Sequence, residues 1–204
     1  MSDPAIPGLR PLVTLGPLQG GWRRVGRQVG GSPFEEVADV WWLQAGVVFA
    51  DLRVRRDGGD RGGLLDATHA FSGAVSLSAG TATFLHDMET GHWGETDRAR
   101  LFEDGDRLVE IGSNYLERWN RIADAGTGRG QVIEVRGGVA SRPPVSALAR
   151  PAPDLRIVCA GDRALAIWSA GPGGAAAFSR REQGWECRAR VGDQSGFAAA
   201  RELL

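Results

Sequence analysis

The chain has 204 residues, with 24 basic against 25 acidic side chains, 42% hydrophobic residues and 30 glycines. This length supports one domain with a real core, and a formal net charge of -1 offers no electrostatic footprint for nucleic acid or an acidic membrane surface. No run of 18 apolar residues occurs, and the N-terminus lacks the basic-then-apolar pattern of a secretory signal, so the expectation is a soluble cytoplasmic protein.

In chain order, residues 1–19 read as an N-terminal arm lying on the surface, and 20–204 as a single domain. A first strand follows Gly20-Gly21, over residues 22–29. The stretch 37–55 is rich in Val and Trp but too long for one strand, so a bend at Gly46 makes it a curved strand or a hairpin. On period 2, Val40, Trp42 and Gln44 share one face, as do Val47, Phe49, Asp51 and Arg53 after the glycine. Strands over 68–77 and 81–89 flank the turn at Ser78-Ala79-Gly80. Those over 98–102 and 107–111 flank Glu103-Asp104-Gly105-Asp106, a hairpin signal. Further strands are expected over 114–122, 131–139, 155–160, 164–169, 175–181 and 185–191, with 140–153 as a proline-rich loop between strands of one barrel. The one helical pattern, 194–204, is capped by Asp193 or Ser195 and either covers a barrel mouth or packs on a neighbouring chain. Many short strands joined by hairpin turns, with almost no helix, give an all-β antiparallel barrel or sandwich.

Several chemistries are excluded or unsupported. All 24 basic residues are arginine, which removes Schiff-base and pyridoxal chemistry. The glycine runs at 16–21 and 171–174 do not open a helix and therefore cradle no phosphate. His69, His86 and His92 show no paired spacing for a metal, so neither metal nor cofactor is expected. Cys159 and Cys187 read as reduced, structural thiols.

The informative pattern is the sharing of faces by aromatic and ionisable residues. Tyr115, Glu117, Trp119 and Arg121 lie on one face of their strand, and Phe84 lies with His86. Such mixed faces line ligand cavities, where apolar walls carry a few placed polar groups. Trp22, Trp42, Phe71, Trp93, Tyr115 and Trp119 would supply the walls. Gln44, Arg53, Glu110 and Glu117 would orient a small, largely apolar molecule, with Arg53 favouring an acidic one.

The ordered set Gly21-Trp22-Arg23, Val40-Trp41-Trp42-Leu43-Gln44, Phe49-Ala50-Asp51-Leu52-Arg53-Val54, Ala70-Phe71-Ser72-Gly73, Glu89-Thr90-Gly91, Leu108–Gly112 and Tyr115–Trp119 resembles a group of uncharacterised calycin-like proteins of bacteria and fungi. The likeness covers residues 20–122. It implies a closed antiparallel, lipocalin-like β-barrel of about 8–10 strands with a short C-terminal helix, and no settled activity. Two functions then compete. One is binding of a small molecule inside the barrel. The other is an isomerase, cyclase or dehydratase using His86 and Glu117 as an acid/base pair, with Glu117 raised by burial beside tryptophan. A protein-interaction role would need an exposed apolar patch, and the oligomeric state stays open.

Overall fold

The computed structural model describes residues 8–56, 65–90, 96–122, 130–144, 146, 152–169, 173–192 and 194–204, with the side chains of 65–68 left aside. In chain order the strands are β1 (Arg10–Pro11), β2 (Gly20–Val29), β3 (Ala38–Ala45), β4 (Val48–Arg55), β5 (Leu65–Ser78), β6 (Thr81–Glu89), β7 (Asp97–Asp104) and β8 (Arg107–Ile111). They continue as β9 (Tyr115–Arg121), β10 (Gln131–Arg136), β11 (Val139–Ser141), β12 (Leu155–Ala160), β13 (Arg163–Trp168), β14 (Gly174–Arg181) and β15 (Gly184–Gly192), before helix α1 (Ser195–Leu203).

Strands β2 to β9 pair antiparallel, each with the next, and β9 returns to β2 through Trp22↔Arg121 and Arg24↔Trp119. The result is the expected closed eight-stranded barrel. The long Val- and Trp-rich stretch is a tight hairpin: β3 and β4 meet at Gly46, whose φ of 59° lies in the region that favours glycine. Alternation then sorts the side chains. Trp42, Phe49, Phe71, Phe84 and Trp119 fill the barrel, while Leu43, Val48, Ala50, Leu52 and Val54 point outward.

Those outward residues are buried too, because the strands after residue 130 do not enter the barrel. They form a second antiparallel sheet in the order β11-β10-β12-β13-β14-β15, laid on the outside of β3, β4 and β5. Val158, Leu165, Ile167 and Ala175 face the barrel there. The proline-rich stretch thus links β11 to β12 within this outer sheet, where the sequence suggested a link between barrel strands; the outward face of β4 is apolar and invites a second layer. The sheet joins the barrel by a short parallel pairing of β15 with β5.

One ion cluster pins the two layers together. Arg156 on β12 is fully buried and donates to Glu134 (2.8 Å), to the Ser72 hydroxyl (2.9 Å) and to Asp87 (2.8 Å from Nη2). Helix α1 packs by Phe197, Ala200 and Leu203 on the far face of the outer sheet, against Trp168 and Phe178, so it covers no barrel mouth. Its N-cap is Gln194, with no side-chain capping bond. Asp193 lies outside the described residues. Cys159 and Cys187 are both free and stand on β12 and β15, with two strands between them.

Residues 8–19 do more than lie on the surface. Leu12 and Leu18 are buried in the barrel cluster, closing the end that carries the β3–β4, β5–β6 and β7–β8 turns. The Trp22 indole donates to the Leu18 carbonyl at 2.8 Å, and Arg121 stacks on Trp22 while donating to the Pro17 and Gln19 carbonyls at 2.7 Å. Among the described residues, no helix is long and apolar enough to cross a membrane.

Candidate functional site

The barrel interior is layered along its axis. Below, near the closed base, lie Leu18, Trp22, Leu101, Leu108 and Trp119, with Trp42 edge-on to Trp119 (5.5 Å) and to Phe84 (5.6 Å). Above, at the ends of the strands that carry the longer connections, the side chains become ionisable: Arg24, Asp51, Arg53, His86, Asp97, Glu110 and Glu117. Asp51, Glu110, Glu117 and Arg24 are all buried.

A cavity of about 20 Å³ sits where the two layers meet, lined by Trp42, Phe49, Asp51, Arg53, Phe71, Phe84, His86, Asp97 and Glu110. That is room for about one water. Phe71 is the centre of an aromatic stack. The His86 ring stacks on it at 4.3 Å and the His69 ring at 5.1 Å. The Arg53 guanidinium lies 5.0 Å above the same Phe71 ring while its Nε donates to Asp51 at 2.9 Å. His86 Nδ1 is 2.8 Å from Glu89, whereas its Nε2 is buried without a hydrogen-bond partner among the described residues. The indole N–H of Trp119, also inside the barrel, has none among them either.

Two carboxylates face each other directly across the β8–β9 pairing, Glu110 opposite Glu117. Like charges in that register repel, and the site resolves this asymmetrically. Glu117 accepts from Arg24 at 2.8 Å and lies 3.2 Å from Arg27 Nε. Arg24 in turn donates two hydrogen bonds to Glu36, at 2.8 and 3.0 Å. Among the described residues Glu110 has no such clamp. Burial, then the charge of Glu117, pushes its carboxyl up to about 8, so it holds a proton at neutral pH. The Tyr115 hydroxyl lies 2.9 Å from Glu110 Oε1 and 3.2 Å from Asp97 Oδ2. A phenol has one hydrogen for two acceptors, and the extra proton on Glu110 lets both contacts form. Burial raises Glu117 as well, against the pull of Arg53, Arg24 and Arg27. Burial and Arg53 lower His69.

Of the residues expected from the sequence, Trp42, Arg53, Phe71, His86 and Glu110 converge on the cavity, with Tyr115, Glu117 and Trp119 directly behind them. Trp22 stands at the base, and Gln44 spends its amide on Trp42 Nε1 (3.1 Å) and the Gly46 carbonyl (2.9 Å). Trp93 and His92 lie outside the described residues. His86 meets Glu89 and not Glu117. Asp97, Arg24 and Glu36 escaped the sequence reading. Asp97 begins β7 in phase with the inward Ala99 and Leu101, and Arg24 is two residues beyond Trp22, so alternation could have found both. Glu36, in a connection, leaves no such trace.

No protein-family model matches the chain, and no curated protein is similar to it in sequence. Among solved structures, an uncharacterised Saccharomyces cerevisiae protein, YLR301w, superposes with a TM-score of 0.61 at 13% identity over 86% of each chain. A lipocalin-like protein from Bacteroides uniformis matches at 17% identity over 52% of this chain and 99% of its own, with a TM-score of 0.40. The barrel strands run from residue 20 to 121, about half the chain, so the yeast match takes in the outer sheet as well. The chain is thus a closed eight-stranded antiparallel barrel with a second sheet on its wall, a fold similar to that of the uncharacterised yeast protein.

Proposed function

We propose that the barrel binds a small molecule at the end that carries the longer connections, beside the Phe71–His86 stack and above the aromatic base. The observation that carries this reading is His86 Nε2, a buried polar atom with no partner among the described residues, on the wall of the cavity. A buried donor or acceptor left unmade costs about 1–3 kcal/mol, and a ligand group or a water brought there removes that cost. The base is filled by Trp22, Trp42, Phe84 and Trp119, so a large apolar body does not fit below the stack. The ligand is instead small, with a polar atom at His86 Nε2 and an acidic group toward Arg53. Arginine suits that last contact through its planar fork of donors.

Titrating the protein with cinnamate and with cinnamamide, followed by tryptophan fluorescence, tests this. Trp42 lines the cavity, so occupancy should quench saturably. Arg53→Ala should weaken cinnamate roughly tenfold more than the amide, as expected for a charge-assisted hydrogen bond of about 1.5–3 kcal/mol. Equal losses would refute the role of Arg53. His86→Ala should weaken both.

One further feature favours acid/base conversion of the bound molecule: the buried Glu110 carboxyl, its proton affinity raised by burial and by Glu117, lies on the same cavity wall as an imidazole. Titratable groups with separated pKa values in one site are what such chemistry needs. Glu110 supplies the proton there, and His86 accepts one. Glu117, engaged by Arg24 and Arg27, holds the site's charge in place. Under this reading Glu110→Gln abolishes turnover of a ligand found by the titration while leaving its affinity within a few-fold. Unchanged turnover would exclude it.

A further inference from the structure

A second cleft, of about 320 Å³, opens on the other side of the barrel wall, between β3 and the end of the outer sheet where β13 begins and β14 ends. Its position follows from alternation along β3: Trp42 and Gln44 point into the barrel, so Trp41 and Leu43 point out into the cleft. Leu43, Leu165 and Ala177 form a buried apolar floor, and Trp41 and Ile122 are half-buried walls. The volume lies within the range of small-molecule pockets.

The charged lining is of one sign. Arg23, Arg163 and Arg188 border the cleft, and among the described residues no carboxylate does. Each arginine has a partner nearby. Arg23 pairs with Asp39 at 2.6 Å, Arg188 with Glu186 at 2.9 Å, and Arg163 donates to the Ser179 hydroxyl. The side chains of Arg23 and Arg188 are 53% and 45% exposed. Ion pairs that exposed hold their partners weakly, so either guanidinium can turn to an incoming anion at little cost.

We infer that this cleft binds an amphiphilic anion: an apolar body against Trp41, Leu43 and Leu165, with one carboxylate or sulfonate held by the arginines. A neutral analogue of the same body would leave the three cations without a new partner, so the charge sets the specificity. The site is separate from the barrel mouth, because the β3 strand itself stands between them.

8-Anilinonaphthalene-1-sulfonate, fluorescent in apolar sites, tests this on the full chain, with decanoate and decanol as competitors. Saturable enhancement is expected, displaced by decanoate at least tenfold better than by decanol. The double variant Arg23→Gln/Arg188→Gln, at two exposed positions, should weaken the dye about tenfold or more with an unchanged melting temperature. His86→Ala, at the barrel mouth, should leave its affinity as it was. Loss of dye binding with His86→Ala but not with the arginine variant would overturn the assignment, as would equal displacement by decanol or no saturable binding at all.

Discussion

Replacing Glu110 by glutamine should flatten the pH dependence of stability between about pH 5 and pH 8. The Glu110 carboxyl titrates at its ordinary 4.5 in the unfolded chain and at about 8 in the barrel. Within that window the native protein keeps a proton that the unfolded chain has released. Stability therefore falls as pH rises, by about 1.4 kcal/mol per unit at most. The contribution is complete below the unfolded value and lost as pH rises through the folded one, on the order of 3–5 kcal/mol in all. Set against the 5–15 kcal/mol that holds a typical domain together, this is a large slope. A glutamine amide in place of the carboxyl would keep an acceptor for Tyr115 and remove the titration. His69 is lowered by burial and by Arg53, so it slopes the other way, stability rising with pH, and it is common to both proteins. Urea unfolding at several pH values, followed by tryptophan fluorescence, reads the coupled Glu110–Glu117 pair as the difference between the two profiles. Parallel profiles would show that Glu110 ionises freely and that the Glu110–Tyr115–Asp97 arrangement carries no trapped proton.

Arg156→Met, which takes the guanidinium away from the half-buried Asp87 and leaves the buried Glu134 to Arg136, should cost about 3–5 kcal/mol. Adding Glu134→Gln and Asp87→Asn should recover part of the loss in melting temperature, and a near-neutral single variant would deny the clip its role. Leu18→Ala at the closed base should cost about 2–5 kcal/mol and shift tryptophan emission to the red as water reaches Trp22. Unchanged emission would mean that another group seals the base. Gly73→Ala should be severe, above about 4 kcal/mol, because the new Cβ would run into the Leu85 carbonyl oxygen beside the β5–β6 bulge. A variant with wild-type circular dichroism and melting point would place that bulge elsewhere.

The barrel was legible in the sequence because its strands alternate strictly and their turns carry glycine. Strands β12 to β15 were legible for the same reason, but not their place. Val48, Ala50, Leu52 and Val54 are apolar on the face opposite Phe49 and Asp51, which marks β4 as covered on both sides. Period 2 alone says nothing of which distant segment does the covering. That information lies in long-range pairings such as Arg156 with Ser72 and Asp87, 84 and 69 residues apart. The candidate site follows the same logic. Same-face spacing brought Trp42, Arg53, His86 and Glu110 into view. Pairing across strands decided that Glu117 would meet Arg24 and leave His86 to Glu89, and no local pattern carries that choice.

The two halves of the interior differ in what they cost. Aromatic and aliphatic packing at the base stabilises the barrel outright, at about 1.5–3 kcal/mol for each large side chain fully buried. The upper half buries Asp51, Glu110 and Glu117 close together, at the cost of taking charges out of water that well-packed apolar residues would avoid. Apolar side chains could have continued the base upward and closed the barrel into a solid core. The chain instead keeps a carboxyl raised by burial, an imidazole with one buried nitrogen unsatisfied among the described residues, and a guanidinium held over a ring, all on one small cavity. Perturbed titratable groups gather where a protein handles ligands or protons, and a fold gains nothing in stability from gathering them. That asymmetry along the barrel axis is the physical reason for assigning structure to the base and function to the mouth.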